Sequence, residues 1–438
     1  MKYFGTDGIR QAAVKFTPDF INSIIAGLAD YAGTEIKVLI GGDTRESSEW
    51  ILQDIANALE SLGIDYASVG VLSTPAINYC FYEMGFDFAI DVTASHNPYT
   101  DNGIKIFERG VDSGIKLSTP GCETIERAIS EHKTIDLIST TDREDLHDEA
   151  VSLYVNHLTS YIGSRDLHGI YAGVDCANGA TSAVYSDAFQ AFNIEIYPIN
   201  DDVHYGQKIN FECGSTHPRE LINLVCDNHL DFGVAYDGDG DRCILVDETG
   251  AIVDGDEIIA IIANYLNLDQ IAVTVMANQG LLNWATENHI ATEITAVGDS
   301  NVAEAMRFKN IKIGGEQSGH IILPDQPTGD GLLTSLMIAK IIKHTGKSLH
   351  ALASIITKLP QVMLNLPTTA EGKEKLKTSE EAKDLLLEYS DKLTAVKGRL
   401  LVRPSGTENL IRITMWGDDE QEITSLAKEL TTKLGEIL

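Results

Sequence analysis

The stretch FAIDVTASHNPYTDNGIKIF, residues 88–107, indicates both the fold of the chain and the place of its chemistry. Its apolar start, FAIDV, predicts a buried strand, and the chain returns after a polar turn as the short strand IKI. The turn carries Ser95 between an alanine and a histidine, although a turn alone requires no serine there. Loops at the carboxyl ends of strands are where ligands bind in open α/β sheets. The serine turn is therefore a candidate functional site.

The same alternation of strand and helix recurs on both sides of this stretch. Apolar runs, several of them followed by a helical pattern, predict further strands at 36–40, 171–175, 231–236, 271–278 and 311–315. A helix is expected over 181–192, after the second of these runs. Strands that alternate with helices indicate α/β units with mostly parallel sheets. Three such units, each with a polar loop at the end of a strand, predict three related domains that share one cleft.

The C-terminal part follows a different pattern. GRLLVRPSGTENLIRITMWG (398–417) predicts strand, loop and strand, and apolar residues at helical spacing follow from Ile423 to Leu434. The predicted fold is therefore α/β with four domains, in which three related mixed-sheet domains and a smaller α+β C-terminal domain surround a central cleft. A chain of 438 residues is long enough for two to four domains. The domain limits that we predict are 1–153, 154–250, 251–360 and 361–438.

Composition narrows the classes of function. The 65 acidic residues against 33 basic ones give a net charge of −32, which repels nucleic acid and anionic lipid, so we expect neither as a partner. An acidic protein that binds an anion must gather its few Arg and Lys in one place or recruit a cation. The six cysteines form no CxxC pair and no metal-site spacing with histidine, and no apolar leader or membrane-spanning run is present. We therefore expect a soluble cytoplasmic protein with free thiols.

The segment DGDGDR (237–242) alternates three carboxylates, those of Asp237, Asp239 and Asp241, with two glycines. Carboxylates this close repel one another unless a cation neutralises them, and the glycines let the backbone turn all three inward. Oxygen ligands suit Mg²⁺ or Ca²⁺. An EF-hand is excluded because its sixth position must be glycine and is Arg242 here. A solvated acidic turn is the alternative, and a Mg²⁺ site with a position open to a phosphate oxygen fits better.

Ser95 requires activation, or a phosphoryl group that it already carries, because a serine hydroxyl is a weak nucleophile. No G-x-S-x-G surrounds it, so a nucleophile elbow is excluded. His96 is its neighbour, and Lys105 follows ten residues later on the return strand. A phosphate-carrying serine needs an adjacent divalent cation, which the acidic loop could supply. Taken alone, Ser-His-Asn-Pro is an ordinary turn, so this interpretation depends on the whole set of motifs.

Three further loops carry polar groups. GGEQSGH (314–320) joins glycines to side chains that suit sugar hydroxyls, although a plain hairpin turn explains it equally well. RPSGTEN (403–409) offers an arginine, two hydroxyls and backbone amides beside a glycine, which are the components of a phosphate site. FGTDGIR (4–10) places Arg10 just behind a glycine turn.

Five segments together resemble the motifs of the α-D-phosphohexomutase superfamily, in the order of that family and over essentially the whole chain. They are Phe4–Arg10, Thr93–Pro98, Asp237–Arg242, Gly314–His320 and Arg403–Glu408. Within the superfamily, the first two segments and Gln317 in the fourth most resemble the phosphoglucosamine mutase branch. Those enzymes interconvert glucosamine 6-phosphate and glucosamine 1-phosphate, on the route to UDP-N-acetylglucosamine and the bacterial cell wall.

The resemblance implies an isomerase that works through a phosphoserine. Ser95 would carry the phosphoryl group and would bind Mg²⁺ together with Asp237, Asp239 and Asp241. The implied partner is a hexosamine phosphate, and the implied intermediate and activator is glucosamine 1,6-bisphosphate or glucose 1,6-bisphosphate. A homodimer is compatible with the resemblance. The four domains would then hold the phosphoserine, the metal, the sugar and the phosphate, in chain order.

The resemblance also implies roles for the charged residues around the serine. Lys105, held near Arg10, would be the general base, with a depressed pKa favoured by Arg10 and Mg²⁺. His96 would orient Ser95. The implied substrate-binding residues are Arg242, Glu316, Ser318, His320, Arg403, Ser405, Gly406, Thr407 and Arg412.

Three alternatives to this function stay open at the level of sequence. A phosphomannomutase or phosphoglucomutase would use the same machinery on another sugar. A non-catalytic sensor of sugar phosphates would need neither the serine nor the three carboxylates. A Mg²⁺-dependent phosphatase would release inorganic phosphate and form no isomer.

Overall fold

The computed structural model describes residues 1–139, 144–164, 166–394, 398–405 and 409–438. Its strands are β1 (Phe4–Gly5), β2 (Gly8–Ala12), β3 (Lys37–Gly42), β4 (Asp65–Val71), β5 (Phe88–Val92), β6 (Asp101–Arg109), β7 (Gly114–Lys116), β8 (Glu144–Asp145), β9 (Tyr171–Asp175), β10 (Glu195–Ile199), β11 (Phe232–Tyr236), β12 (Cys243–Asp247), β13 (Ile252–Val253), β14 (Gln270–Thr274), β15 (Ala291–Thr295), β16 (Gly314–Gly315), β17 (Ile321–Ile322), β18 (Gln361–Pro367), β19 (Arg399–Pro404) and β20 (Leu410–Trp416). Its α-helices are α1 (Pro18–Ala32), α2 (Glu46–Ser61), α3 (Thr74–Glu83), α4 (Thr119–Ser130), α5 (His147–Ile162), α6 (Tyr185–Gln190), α7 (Arg219–Asn228), α8 (Gly255–Leu266), α9 (Gln279–Glu287), α10 (Asp299–Lys309), α11 (Gly331–Thr345), α12 (Leu349–Ala353), α13 (Ala370–Thr378), α14 (Glu380–Thr394) and α15 (Glu420–Ile437).

The first sheet has the order β1-β2-β6-β5-β3-β4-β8, with β7 paired to β6. Its centre is parallel, because β3 pairs in parallel with both β4 and β5, whereas β6 returns antiparallel to β5. Helices α1 and α2 bury apolar residues at helical spacing against one face of this sheet, for example Ile21, Ile25, Ile51 and Ile55. The turn from β5 to β6 is thereby held at the carboxyl end of a buried strand.

The second and third sheets repeat this mixed design. The second has the order β10-β9-β11-β12-β13, in which β9, β10 and β11 are parallel and β12 is antiparallel to β11. The third has the order β15-β14-β16-β17, and only β17 is antiparallel to its neighbour among the described strands. One apolar core runs from the first sheet through both of these domains, and the nearly all-apolar helices α8 and α11 lie inside it. In each sheet a strand reversal therefore leaves a loop at the shared cleft.

The C-terminal sheet is smaller and antiparallel, with the order β18-β20-β19. Helices α14 and α15 cover it, and α15 buries Ile423, Ala427, Leu430 and Leu434, which is the helical spacing seen in the sequence. These observations confirm the predicted fold class, with three mixed-sheet α/β domains and a smaller α+β domain. The four sheets span residues 4–145, 171–253, 270–322 and 361–416. The domain limits given above stay predictions.

Three elements differ in length from the predictions. The helix expected over 181–192 is a 3₁₀ turn at Ala180–Ala183 followed by the short α6, because the turn packs on the acidic loop, where the Ala180 N–H donates to the Gly238 carbonyl. The strand expected over 271–278 ends at Thr274, because Asn278 caps α9 with its side chain. The strand expected over 311–315 covers only Gly314–Gly315. Within the described ranges, no helix is both long enough and apolar enough to cross a bilayer.

Candidate active site

Ser95 lies in the β5–β6 turn, and its side chain is fully buried. Its Oγ donates to Asp237 Oδ2 at 2.6 Å and lies 3.2 Å from His96 Nδ1. The single hydroxyl proton goes to Asp237, because His96 Nδ1 already accepts from Arg242 Nη1 at 3.1 Å. Burial, together with Arg242 and Arg10, lowers the pKa of His96 to about 4. His96 is therefore neutral at pH 7, and the orienting role predicted for it stays a prediction.

The acidic loop between β11 and β12 buries Asp237, Asp239 and Asp241 side by side. A carboxylate oxygen from each lies within 4.8 Å of the others. The two glycines are required by space and conformation: a Cβ on Gly238 would stand 2.5 Å from the Ser95 carbonyl oxygen, and Gly240 has φ +73°. The loop therefore reaches the serine turn as close as backbone atoms allow.

The electrostatics of this loop fit a bound cation. Burial, with repulsion from Asp239 and Asp241, raises the pKa of Asp237 well above its usual range. Asp239 Oδ1 and Asp241 Oδ1 are buried and have no hydrogen-bond partner, which is costly for carboxylate oxygens unless something else satisfies them. Three converging carboxylates with such oxygens are a ligand set for a hard divalent cation. The site can hold a metal ion.

Lys105 projects from β6 into the same cluster and is buried. Its Nζ lies 2.6 Å from Asp239, 3.1 Å from Asp7 and 3.3 Å from Asp241. Burial lowers the pKa of Lys105, but attraction to these three carboxylates outweighs burial and leaves the pKa well above its ordinary value. The depressed pKa that we expected is therefore wrong for this arrangement. That expectation included the positive charge of Arg10 and omitted the negative charge of Asp7.

Asp7 is the residue of this site that sequence reasoning missed. Its carboxylate forms ion pairs with Arg10 and Lys105, and Lys116 Nζ lies 2.6 Å from Asp7 Oδ1. Lys116 in turn pairs with Asp299 at the start of α10, so this ion-pair chain links the first and third domains. The signal was present, because Asp7 belongs to FGTDGIR, but its role requires three-dimensional neighbours. The predicted residue Arg10 lies in the cluster, and its Nε is buried without a hydrogen-bond partner.

The hairpin after β16 brings the predicted sugar loop to the acidic loop. Arg242 and His320 form a β-bridge between the two loops. His320 is 2% exposed, both of its ring nitrogens have no hydrogen-bond partner, and its Nε2 lies 3.8 Å from Asp299. Glu316 Oε1 accepts from the Gly298 N–H at 3.2 Å, and Ser318 is exposed on the hairpin. These groups give the third domain several hydrogen-bonding atoms beside the cluster.

Gln317, which we took as a pointer to the amino sugar, is bound within its own domain. Its Nε2 donates to Asp254 Oδ2 at 3.3 Å, and its carbonyl accepts from the Gly255 N–H at 3.1 Å. Its side chain thereby fixes the hairpin against the start of α8.

The described residues of the predicted phosphate site lie on or next to the C-terminal sheet. Arg403 and Arg412 are cross-strand partners on β19 and β20. Burial and the Arg412 charge lower the pKa of Arg403, and Arg403 Nε is buried without a hydrogen-bond partner. Two adjacent guanidinium groups of this kind favour an anion. Ser405 is buried, and its carbonyl accepts from Lys373 Nζ at 2.8 Å. Gly406 and Thr407 lie outside the described residues.

Family models match four consecutive parts of the chain. They are the phosphoglucomutase/phosphomannomutase α/β/α domains I (residues 1–136), II (152–250) and III (254–359), and the C-terminal domain of the same family (363–433).

Similar curated proteins include the phosphoglucosamine mutase of Caldicellulosiruptor bescii, 40% identical over 98% of both chains. The phosphoglucosamine mutase of Clostridioides difficile is 39% identical over 100% of this chain and 99% of its own.

Two solved structures share the fold. A phosphoglucomutase/phosphomannomutase family protein from Burkholderia thailandensis has a TM-score of 0.79 at 21% identity and covers 98% of this chain and 97% of its own. The N-acetylphosphoglucosamine mutase of Aspergillus fumigatus, solved with GlcNAc-6P and magnesium, has a TM-score of 0.66 at 16% identity, with coverages of 99% and 96%. Four matched domains in order and curated relatives at 40% identity lead to one conclusion: the chain belongs to the phosphoglucomutase/phosphomannomutase family of α-D-phosphohexomutases, and the curated relatives that it resembles are phosphoglucosamine mutases.

Proposed function

We propose that the chain isomerises glucosamine 6-phosphate and glucosamine 1-phosphate by phosphoryl transfer through Ser95. The observation that carries the proposal is the contact of the Ser95 hydroxyl with Asp237 at 2.6 Å, beside two more buried carboxylates. Curated relatives over the full chain are phosphoglucosamine mutases, which supports the amino sugar as substrate. The chain is thus an isomerase of the phosphohexomutase class.

In the proposed reaction, Ser95 begins as a phosphoserine. A free hydroxyl of the sugar phosphate forms a new O–P bond while the Ser95 Oγ–P bond breaks, which gives glucosamine 1,6-bisphosphate. The attacking hydroxyl loses its proton, and Ser95 Oγ gains one. The bisphosphate turns in the cleft, and its other phosphoryl group returns to Ser95 by the reverse exchange. A loose transition state of this kind requires positioning and charge neutralisation from the protein more than covalent chemistry.

The proposed cation is Mg²⁺, held by Asp237, Asp239, Asp241 and a phosphoryl oxygen on Ser95. When bound, it would neutralise charge on the transferred phosphoryl group. The supporting observation is the pair of buried carboxylate oxygens without a partner. Asp237 accepts a hydrogen bond from the Ser95 hydroxyl, which supports its place beside the transferred group. Glucosamine 1,6-bisphosphate or glucose 1,6-bisphosphate is the proposed activator, because a phosphorylated serine is needed to begin a cycle.

Lys105 remains our proposed general base, under one condition that the geometry imposes. Three carboxylates hold it as an ammonium, and it would act as a base only where its attraction to Asp239 and Asp241 is weakened, as a cation held by these residues would do. In its charged form it is a donor to the phosphoryl oxygens. Arg10 pairs with the same Asp7 oxygen as Lys105 and adds positive charge. Neutral His96 keeps Ser95 and Arg242 aligned.

The remaining proposed contacts divide between sugar and phosphate. A sugar phosphate that binds in two orientations requires hydroxyl-binding groups that tolerate both, and polar side chains on the third domain supply them. The phosphate that is not transferred requires a separate anion site, and two adjacent arginines on the C-terminal sheet favour one. The residues that we propose for these contacts are Arg242, Glu316, Ser318, His320, Arg403, Ser405, Gly406, Thr407 and Arg412.

The test is isomerisation of glucosamine, mannose and glucose 6-phosphates side by side, with Mg²⁺ and a bisphosphate activator. We expect a strong preference for the amino sugar. A preference for mannose or glucose would keep the mechanism and replace the substrate. Release of inorganic phosphate without an isomer would identify a phosphatase. If no sugar phosphate reacts but one still binds to Ser95→Ala with unchanged affinity, the chain is a sensor and the proposal fails.

A further inference from the structure

Arg45 stands at the start of α2, and its side chain is wholly buried beside the serine turn. Its Nε–H donates to Asp43 Oδ2 at 2.8 Å. A guanidinium group has five N–H donors, and the other four all donate to backbone carbonyls of one short segment. Those carbonyls belong to Ser95, Asn97, Pro98 and Asp101.

A second set of contacts joins the same ion pair to the serine from the other side. Asp43 Oδ2 also accepts from Thr93 Oγ1 at 2.7 Å, and Thr93 Oγ1 accepts from the Ser95 N–H at 2.9 Å. Ser95 therefore has its N–H and its carbonyl tied, through different paths, to the Arg45–Asp43 pair. The Ser95 Oγ takes no part in these contacts and points toward the acidic loop.

The backbone at Ser95 has a conformation that a serine seldom adopts. Its φ is +53°, in the left-handed region that favours glycine. Such a conformation persists where the surroundings determine it. The Ser95 carbonyl accepts from Arg45 Nη2 at 2.9 Å and from Asn210 Nδ2, on the second domain, at 2.8 Å. Arg45 donates to four carbonyls of the turn, and Asn210 donates to two of the same carbonyls, those of Ser95 and Asn97, across the domain interface.

We propose that Arg45 is the positioning residue of the phosphoryl-transfer step. This inference rests on the proposed function, in which Ser95 carries the phosphoryl group. Arg45 reaches no reacting atom, and it acts by fixing the turn so that Ser95 Oγ faces Asp237 and the attacking hydroxyl. A lysine would keep the charge, but its three donors around one nitrogen cannot replace a planar fork that spans four carbonyls. In Arg45→Lys the turn would therefore lose its alignment while the charge stays.

The test compares Arg45→Lys with Arg109→Lys as a matched control. Arg109 is in the same sheet and also donates to backbone carbonyls, from Nε to Phe86 at 3.1 Å and from Nη2 to Tyr82, at the other end of β6. We expect kcat for glucosamine 6-phosphate to fall about 100-fold in Arg45→Lys, because a displacement of about 1 Å has that effect on transfer, while KM changes less than about threefold. The rate at which glucose 1,6-bisphosphate phosphorylates Ser95, followed by intact mass, should fall in parallel.

The control variant should keep its kcat, and it should lose less stability than Arg45→Lys because Arg109 is exposed whereas Arg45 is wholly buried. Two results would show that the role is only structural and that the inference is wrong. In the first, Arg45→Lys keeps its kcat at the level of the control. In the second, its kcat falls and its KM rises together, in proportion to the fall of its thermal midpoint. If Arg45→Lys does not fold, Thr93→Val provides the same test with Arg45 in place. It removes the partner of the Ser95 N–H, and we expect kcat to fall about tenfold with an unchanged KM.

The proposed function and the inference about Arg45 would be refuted by different results. If wild-type protein isomerises none of the sugar phosphates, the proposed function fails, whereas phosphorylation of Ser95 by glucose 1,6-bisphosphate still measures the role of Arg45. If wild-type protein is an active mutase and Arg45→Lys behaves like Arg109→Lys, only the inference about Arg45 is refuted.

Discussion

Replacement of Lys105 by methionine is the perturbation whose effect follows most directly from the site. The ammonium group is 3% exposed and pairs with Asp239, Asp7 and Asp241 at 2.6, 3.1 and 3.3 Å. Lys105→Met keeps most of the apolar stem and removes the charge. The buried carboxylates of Asp239 and Asp241 and the partly exposed carboxylate of Asp7 then lose a partner. Removal of one member of a buried ion pair costs about 3–5 kcal/mol.

This loss is large enough to measure by thermal unfolding without Mg²⁺. For a cooperative unit of about 150–250 residues, 1 kcal/mol corresponds to about 2–4 °C, so the thermal midpoint should fall by about 6–20 °C. Lys309→Met is the control, because Lys309 pairs with Glu293 at 2.5 Å on the surface and is 56% exposed. A surface pair of this kind contributes about 0–1 kcal/mol, so its midpoint should hardly change.

Addition of Mg²⁺ to the same unfolding assay distinguishes a metal site from a simple ion pair. The ammonium of Lys105 occupies Asp239 and Asp241, so it competes with a cation for the same carboxylates. A cation that binds the folded state alone stabilises it by about 2.7 kcal/mol at a hundredfold excess over its Kd. We expect a larger Mg²⁺-dependent rise of the midpoint in Lys105→Met than in wild-type protein. A loss below about 1 kcal/mol, or equal Mg²⁺ shifts in both proteins, would refute the reasoning.

Three further predictions concern single side chains. Asp239→Ala should lose Mg²⁺-dependent turnover and keep its fold, because Lys105 loses one carboxylate but retains Asp7 and Asp241, and repulsion within the acidic cluster is relieved; circular dichroism and turnover with Mg²⁺ check this, and unchanged turnover would contradict the metal assignment. Burial and the charge of Asp254 raise the pKa of Asp256 to about 8. Between about pH 4 and 8 the folded state therefore holds a proton that the unfolded state has lost, so the free energy of unfolding falls as pH rises through that window. Asp256→Asn should flatten this dependence of the urea midpoint, and an unaltered slope would count against the assignment. The Arg399 guanidinium lies 4.0 Å from the centre of the Trp416 ring and donates to two carbonyls of the third domain. Arg399→Met should therefore destabilise the C-terminal domain by about 1–3 kcal/mol and speed its release by limited proteolysis. Equal digestion rates of the variant and wild-type protein would argue against this link.

The sequence was sufficient for the parts of the site that are local in the chain. The alternation of carboxylates with glycine at 237–242 requires an inward-facing acidic loop, and the structure has one. The strand before Ser95 and the strand after it are both where the apolar pattern predicts them. Periodicity also located α15 and its buried face. In each case, neighbours within a few residues determine the conformation.

What the sequence could not provide depends on contacts between distant segments. The pKa of Lys105 was misjudged because Asp7, which is 98 positions earlier, faces it in space. The sequence pattern indicated no role for Arg45, because the carbonyls that it binds are 50 or more positions away. Gln317 pointed to the amino-sugar branch, but the pattern gave no sign of its contact with Asp254. Pairings of this kind have no periodic or spacing signal in one sequence.

The central claim is that Ser95 carries and transfers a phosphoryl group. The most direct measurement is the intact mass of wild-type protein and Ser95→Ala after incubation with glucose 1,6-bisphosphate and Mg²⁺, followed by addition of glucosamine 6-phosphate. We predict that wild-type protein gains the mass of one phosphoryl group, located by peptide mapping at Ser95, and loses it again as glucosamine 1,6-bisphosphate forms. The account is contradicted if Ser95→Ala gains the same mass, or if the phosphoryl group on wild-type protein is released only as inorganic phosphate.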